Sequence, residues 1–218
     1  MLTEEPLQSP VRLAGVGSEP AREGRNQQRY TVGGTRLVAG CVPYHRDAAT
    51  GQVQVLLISN RNKTQWIIPK GGWEADESQE QAALRESYEE AGVRGRIGPR
   101  LVTYTHTGKG GHKQSHAYYA LHVDEVLTEW PDHQTRHRCW VSVQEAALLC
   151  TRKGMCDAIL KLQRMFPTTV EDTEAAGKII NGMVLSPTIL SDESPTEDEG
   201  VPHHERLQYD NNDDDEEE

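Results

Sequence analysis

Aromatic residues are scarce in this chain of 218 residues: they make up 6%, with a single Phe, and hydrophobic residues of all kinds reach only 35%. That suffices for one domain of ordinary size but not for the full length, so part of the chain is expected not to pack. Cysteine is nearly absent. Cys41, Cys139, Cys150 and Cys156 form no CxxC pair and no metal-ligand spacing, which argues against a disulfide scaffold or a zinc site and predicts reduced thiols. No apolar run approaches the roughly 20 residues of a membrane span. Glu4, Glu5 and Pro6 stand where a secretory leader needs a basic start and an apolar stretch. The expectation is a soluble protein of the cytoplasm, with the nucleus as a second location. No GxSxG supports serine hydrolysis, and no repeat of 20–50 residues is present.

Basic residues are almost missing from one end. Over residues 170–218, 16 Asp and Glu face only Lys178 and Arg206, which leaves 18 acidic and 21 basic residues before them. The formal charge of -11 is therefore a tail at -14 and a body at +3. A mildly basic body attracts polyanions, and such a tail partly opposes that field. Composition divides the chain into a flexible arm (1–24), one domain (25–168) and an acidic, largely disordered tail (169–218) in which 175–190 is the one apolar stretch.

Within the domain, apolar runs predict strands at 37–42, 53–59, 66–69, 101–107, 115–123 and 138–143, with a turn at Gly33-Gly34. Ser78 with Gln81 three residues on is a capping box, and Gly92 suits a left-handed cap, which frames a helix over 79–91. Further helices are expected at 143–149 and 155–166. Strands and helices do not alternate regularly, so the expected class is α+β, a mixed β-sheet between helices.

The stretch 71–93, GGWEADESQEQAALRESYEEAGV, carries the chemistry. On a wheel at about 100° per residue, Glu86, Glu89 and Glu90 fall within one face about 100° wide, while Leu84, Tyr88 and Ala91 lie opposite. Three like charges one turn apart repel unless a cation sits among them. An all-oxygen set suits Mg²⁺, with Mn²⁺ possible, and such ions keep water positions for substrate phosphates. A carboxylate could take a proton from the attacking water. Arg85 cannot act as a base and is better suited to gripping a glutamate. Gly71 and Gly72 let the preceding loop approach closely.

This stretch resembles the Nudix box, G-x5-E-x7-R-E-U-x-E-E-x-G-U with U a bulky aliphatic residue; all fixed positions match except the first U, which is Ser87. The resemblance implies a Nudix α/β/α sandwich and Mg²⁺-dependent hydrolysis of phosphoric anhydrides. It implies Glu86 and Glu90 as metal ligands, Glu89 as ligand or general base, and the backbone carbonyl of Lys70 as a further ligand. RLVAGCV, WIIPKGGWE, a DEVL-EW stretch and R-H-R-x-W extend the likeness over about 21–161 to the fungal diphosphoinositol polyphosphate phosphohydrolases, a subgroup that also acts on diadenosine polyphosphates and inorganic polyphosphate. Phosphate-crowded substrates of that kind need cationic donors from several loops. Mapped onto the subgroup, Arg29, Arg36, Ser59, Arg61, Lys70, His112, Lys113 and Arg136 are the expected substrate contacts, with Arg138, Arg25 and Lys153 behind them. The implied partner is a small polyanion, with no membrane, no stable nucleic-acid binding and a monomeric chain. Two rival readings remain open: a Nudix enzyme of other specificity, such as mRNA cap or nucleotide derivatives, and a non-catalytic polyphosphate sensor. His116 and His122 read as strand-surface residues, His203-His204 has no context, and Trp66, Trp130 and Trp140 read as packing residues.

Overall fold

The strands that carry the site are continuous apolar runs rather than alternating ones, as expected where both faces of a sheet are covered. The computed structural model describes residues 21, 22 and 24–166. The rest of the expected arm, the acidic tail, its segment 175–190 and His203-His204 lie outside the described residues. At the centre is β1 (Arg36–Arg46), fully buried from Val38 to Pro43. It pairs in parallel with β6 (Lys113–Val126) and antiparallel with β2 (Val53–Ser59) and β4 (Lys70–Gly72). β3 (Trp66–Ile67) and β7 (Arg138–Ser142) add to β2, and β5 (Val93–Thr107) pairs antiparallel with β6. The sheet is therefore mixed.

Helix α1 (Gln79–Ala91) covers one face, where the Tyr119 hydroxyl of β6 donates to Gln79 at 2.9 Å. On the other face lie α2 (Val143–Leu149) and α3 (Lys153–Met165), with Gly154 so close to the Tyr104 ring of β5 that a Cβ would lie 2.6 Å from it. The class is thus α+β, as read from the sequence. α1 forms for the expected reasons: Gln81 N donates to the Ser78 hydroxyl at 3.1 Å, Ser78 N donates to the Gln81 carbonyl at 2.7 Å, and Gly92 closes the helix at φ 60°.

Three expectations need correction. The segment 70–72, read as a loop, is strand β4, because its amides and carbonyls find partners on β1; Gly40 opposite admits this approach, since a Cβ there would lie 2.5 Å from the Pro69 carbonyl oxygen. Strand β5 begins at Val93 and not near 101, since register shifts between Arg94 and Gly95 and between Ile97 and Val102 absorb the glycines and proline that hide it. His116 is buried, not on the strand surface: its ring nitrogens pair with the Tyr118 hydroxyl and the Gln114 carbonyl, each at 3.0 Å. His122 does lie exposed beside Asp124.

Ser87, the odd position of the motif, is fully buried. Its hydroxyl donates to the Ala83 carbonyl one turn back at 2.7 Å, so a polar side chain costs little there. The Cys41 thiol donates to the same carbonyl at 3.5 Å. A small residue at 87 is what lets the cysteine of β1 fill the space a bulky aliphatic group would take.

Candidate active site

Helix α1 was expected to bury one face and open the other. It buries Leu84, Tyr88 and Ala91 as expected, but the other face is not open: Glu86, Glu89 and Glu90 are buried too, beside residues 21, 22 and 24–28 and the loop 130–136. Together with Gly72, Glu74, Arg85, Arg22, Arg25, Gln28, Arg61 and Asp132 they line a cavity of about 330 Å³.

Arg85 organises one side of it. Its guanidinium donates to both Glu77 oxygens (3.0 and 2.8 Å), to the Gly72 carbonyl (2.8 Å), to Glu86 (2.7 Å) and to Glu89 (3.1 Å). It therefore grips three glutamates, where the sequence suggested one. Arg136 organises the other side. It is buried and donates to Glu90, to Asp132 (3.0 Å) and to the Ser59 carbonyl (3.1 Å). The Lys70 amide donates to the second Glu90 oxygen at 2.7 Å. Among the described residues no three carboxylates already share one point, because the two arginines stand between them.

The donor set nevertheless fits a hard divalent cation. All candidate ligands are oxygens, and Gly71 leaves a space beside Glu86 that a Cβ would fill at 2.2 Å from its carboxylate. Positive charge is also short. Burial first, and then repulsion from Glu90 and Glu89, push the Glu86 carboxyl up to about 8 against the pull of Arg85. Burial likewise raises Glu89 and Glu90. Glu86, Glu90 and the Lys70 carbonyl are the groups that would hold the ion, with Glu89 beside them as a further ligand or as the base.

A family model described as NUDIX domain matches residues 34–160. The chain belongs to the Nudix family. Nudix hydrolase 16, mitochondrial, of Arabidopsis thaliana is 42% identical over 156 residues, which cover 65% of this chain and 86% of that protein. Diphosphoinositol polyphosphate phosphohydrolase 2 of Mus musculus is 35% identical over 144 residues, 63% of this chain and 77% of its own. A solved C. elegans Ap4A hydrolase binary complex has the same fold, with a TM-score of 0.51 over 60% of this chain and 97% of that one at 24% identity.

The cations expected at the substrate divide into three groups in this Nudix domain. Arg29, Arg136 and Arg138 spend their guanidinium groups on the fold. Arg29 lies over the Trp73 ring and donates to the Glu74 and Ala75 carbonyls. Arg138 lies over Trp130 and donates to the Ala91 and Gly92 carbonyls at the end of α1, where a cation is favoured. Ser59 is buried too, its hydroxyl accepting from the His137 amide at 2.9 Å. Arg25 and Arg61 are exposed and reach the cavity wall. Arg36 and Lys70 approach from the sheet: Arg36 donates to Gln28 at 2.6 Å, and the Lys70 ammonium acts on both Glu90 and His116. His112 and Lys113 are exposed at the β5–β6 hairpin, beside the Gln114 that pairs with Arg36; they do not line the cavity. Lys153 is exposed and paired with Asp157 at 3.1 Å.

Two contributors were missed. Arg152 acts on His116 together with Lys70 and Arg36, so three cations from three elements gather there and help hold that imidazole well below its usual range, behind burial as the main cause. Arg22, assigned to the arm, sends its amide to Glu89 at 3.3 Å and its guanidinium to Glu74 and to Asp76 at 3.0 Å. No local pattern marks either residue; Arg22 lies 67 positions from its partner Glu89.

Two outcomes are expected. Gly71→Ala has no backbone strain to overcome, since Gly71 is not at positive φ, but its methyl must displace Glu86. Mn²⁺ affinity, followed by calorimetry, should fall by about 10–100-fold with little change in thermal stability. The second concerns pH in chelator. The folded Glu86 keeps a proton that the unfolded chain releases above about 4.5, so folding loses stability as pH rises from there to about 8. His116 acts oppositely, because its lowered value makes folding gain stability as pH rises to 6.5. Melting temperature should therefore decline between pH 6.5 and 8, and added Mg²⁺ should raise it more at pH 8 than at pH 6. A flat or rising curve between 6.5 and 8 would contradict the charge deficit.

Proposed function

We propose that this Nudix hydrolase cleaves phosphoric anhydride bonds in small, phosphate-dense substrates: diphosphoinositol polyphosphates, diadenosine polyphosphates and inorganic polyphosphate. The observation that carries this reading is the Lys70 ammonium acting on Glu90, beside a cavity that Arg22, Arg25 and Arg61 line. A substrate with phosphates beyond the scissile pair would use these cations. Arg25 and Arg61 add exposed charge at the cavity wall. The mouse relative named for diphosphoinositol polyphosphates and the structural relative named for Ap4A agree with this class. The fungal-type segments of the sequence favour it further.

In this reading Mg²⁺ or Mn²⁺ supplies charge neutralisation on the phosphates and acidifies the attacking water. The chain's own residues do the rest. Glu86 and Glu90 are positioned to hold the ion, one fixed by Arg85 and the other by Arg136 and the Lys70 amide. Glu89 is the general base: the weak contact of the Arg22 amide, at 3.3 Å, is made to its Oε1, and burial raises its basicity. Arg85 keeps Glu86 and Glu89 from turning away. The protein works as a monomer in the cytoplasm, and in the nucleus as a second location.

The test is product analysis of the full chain with diphosphoinositol pentakisphosphate, diadenosine hexaphosphate, polyphosphate, a capped RNA and a nucleotide sugar, with and without Mg²⁺. Turnover of the first three in Mg²⁺ is expected. Faster turnover of the cap or the sugar would move the assignment to another Nudix specificity. Tight polyphosphate binding without product would make the protein a sensor.

A further inference from the structure

Four thiols are present, and the anhydride chemistry uses none of them. Cys41 is fully buried, with burial pushing it up to about 12, and burial pushes Cys139 to about 11. Both are inert by position. Cys150 and Cys156 differ because they touch. Cys150 is buried at the end of α2, and Cys156 is half-buried in the first turns of α3. The Cys156 thiol donates to the Cys150 carbonyl and lies 3.7 Å from the Ala147 carbonyl. The Cys150 sulfur is 3.6 Å from the Met155 thioether.

We propose that Cys150 and Cys156 are a peroxide-oxidisable pair that closes to an intramolecular disulfide. The half-buried thiol is the one to react first. Hydrogen bonding with Cys150 lowers Cys156 below the usual thiol range, helped by its backbone contact and by Lys153, against desolvation and Asp157. The Cys156 thiolate attacks one oxygen of hydrogen peroxide, the O–O bond breaks, and hydroxide leaves to take a proton as water. Cys156 is then a sulfenic acid. Cys150 loses its proton and attacks that sulfur, the S–O bond breaks, and a second water leaves. Two thiols and one peroxide give one disulfide and two waters. The sulfurs close from contact to about 2.05 Å. The bridge spans Thr151 to Met155 and so encloses Arg152, one of the cations gathered at His116.

The experiment uses the reduced full chain, treated with a small excess of hydrogen peroxide, quenched, blocked with N-ethylmaleimide in denaturant and digested with trypsin without reductant. Cleavage after Arg152 and Lys153 separates the two cysteines, so the bridge joins two peptides; fragment ions distinguish Cys150 from Cys139, which shares its peptide. The expected result is a Cys150–Cys156 link reversed by dithiothreitol, with Cys41 and Cys139 fully alkylated. Cys150→Ser should abolish the link and drive Cys156 on to sulfinic acid, while Cys156→Ser should leave Cys150 unoxidised. A link to Cys41, Cys139 or a second molecule, sulfinic acid at Cys156 in the unmutated chain, or four unreacted thiols would each overturn the proposal.

Discussion

Glu89→Gln is expected to lower kcat by about 10²–10⁴-fold, the usual contribution of a positioned general base. Melting temperature should stay within a few degrees of the parent and KM close to it. The substitution is nearly isosteric, and its carbonyl oxygen can keep the Arg85 contact at 3.1 Å while the amide group replaces the oxygen that accepts from the Arg22 amide at 3.3 Å. What it removes is the site that takes a proton. Glu90→Gln should also abolish most turnover, but through a different route. Both Glu90 oxygens are engaged, by the Lys70 amide and by Arg136, and an amide NH₂ turned toward that guanidinium leaves the buried cation with Asp132 as its remaining carboxylate. The two variants should therefore separate by denaturation: similar losses of kcat, but a stability loss confined to Glu90→Gln. Near-parental rates in both would refute the mechanism, and equal destabilisation would mean that Glu89 is held as tightly as Glu90.

Arg136→Met is expected to destabilise the fold by about 3–5 kcal/mol, the range for removing one partner of a buried ion pair. The side chains of Arg136 and Glu90 are only 5% and 6% exposed, and the same guanidinium also binds Asp132 and the Ser59 carbonyl. Its loss would take a charged donor from two carboxylates and one carbonyl, leaving Glu90 with the Lys70 amide, under the loop that closes over α1. Adding Glu90→Gln to Arg136→Met should recover part of the loss, because it removes the stranded charge. Urea denaturation of the two single variants and the double gives the coupling. An unchanged midpoint with only a raised KM would instead make Arg136 the direct substrate contact that its sequence context suggests.

Arginines show best where local reading stops. The motif identifies Arg85 because its partners lie within a few positions on one helix, where spacing translates directly into geometry. For Arg29, Arg136 and Arg138 the sequence offers only a charge in a loop. Whether a guanidinium reaches substrate or caps a helix depends on which carbonyls the fold brings within 3 Å. Arg138 faces the end of α1, which ends 47 positions earlier in the chain. Lys153 and Arg152 are adjacent in sequence, yet one pairs with Asp157 in solvent while the other acts on His116. Their side chains leave the chain in different directions, so one position decides the role.

The sequence by itself determined that a capped helix over 79–91 carries Glu86, Glu89 and Glu90 on one side, that the class is α+β, and that the chemistry belongs to the Nudix family. Each follows from short-range pattern: caps, helical period and a motif of fixed spacing. Only the tertiary structure decided that these carboxylates are buried rather than open, that 70–72 is a strand against β1, and that Arg22, Arg136 and Arg152 approach from distant segments. Burial and charge compensation are sums over everything packed nearby, and no window of the sequence contains those neighbours. The stretch 71–93 is accordingly less open than its spacing suggests, and Ser87 within it is accounted for by Cys41 on β1, a partner 46 residues away in the chain.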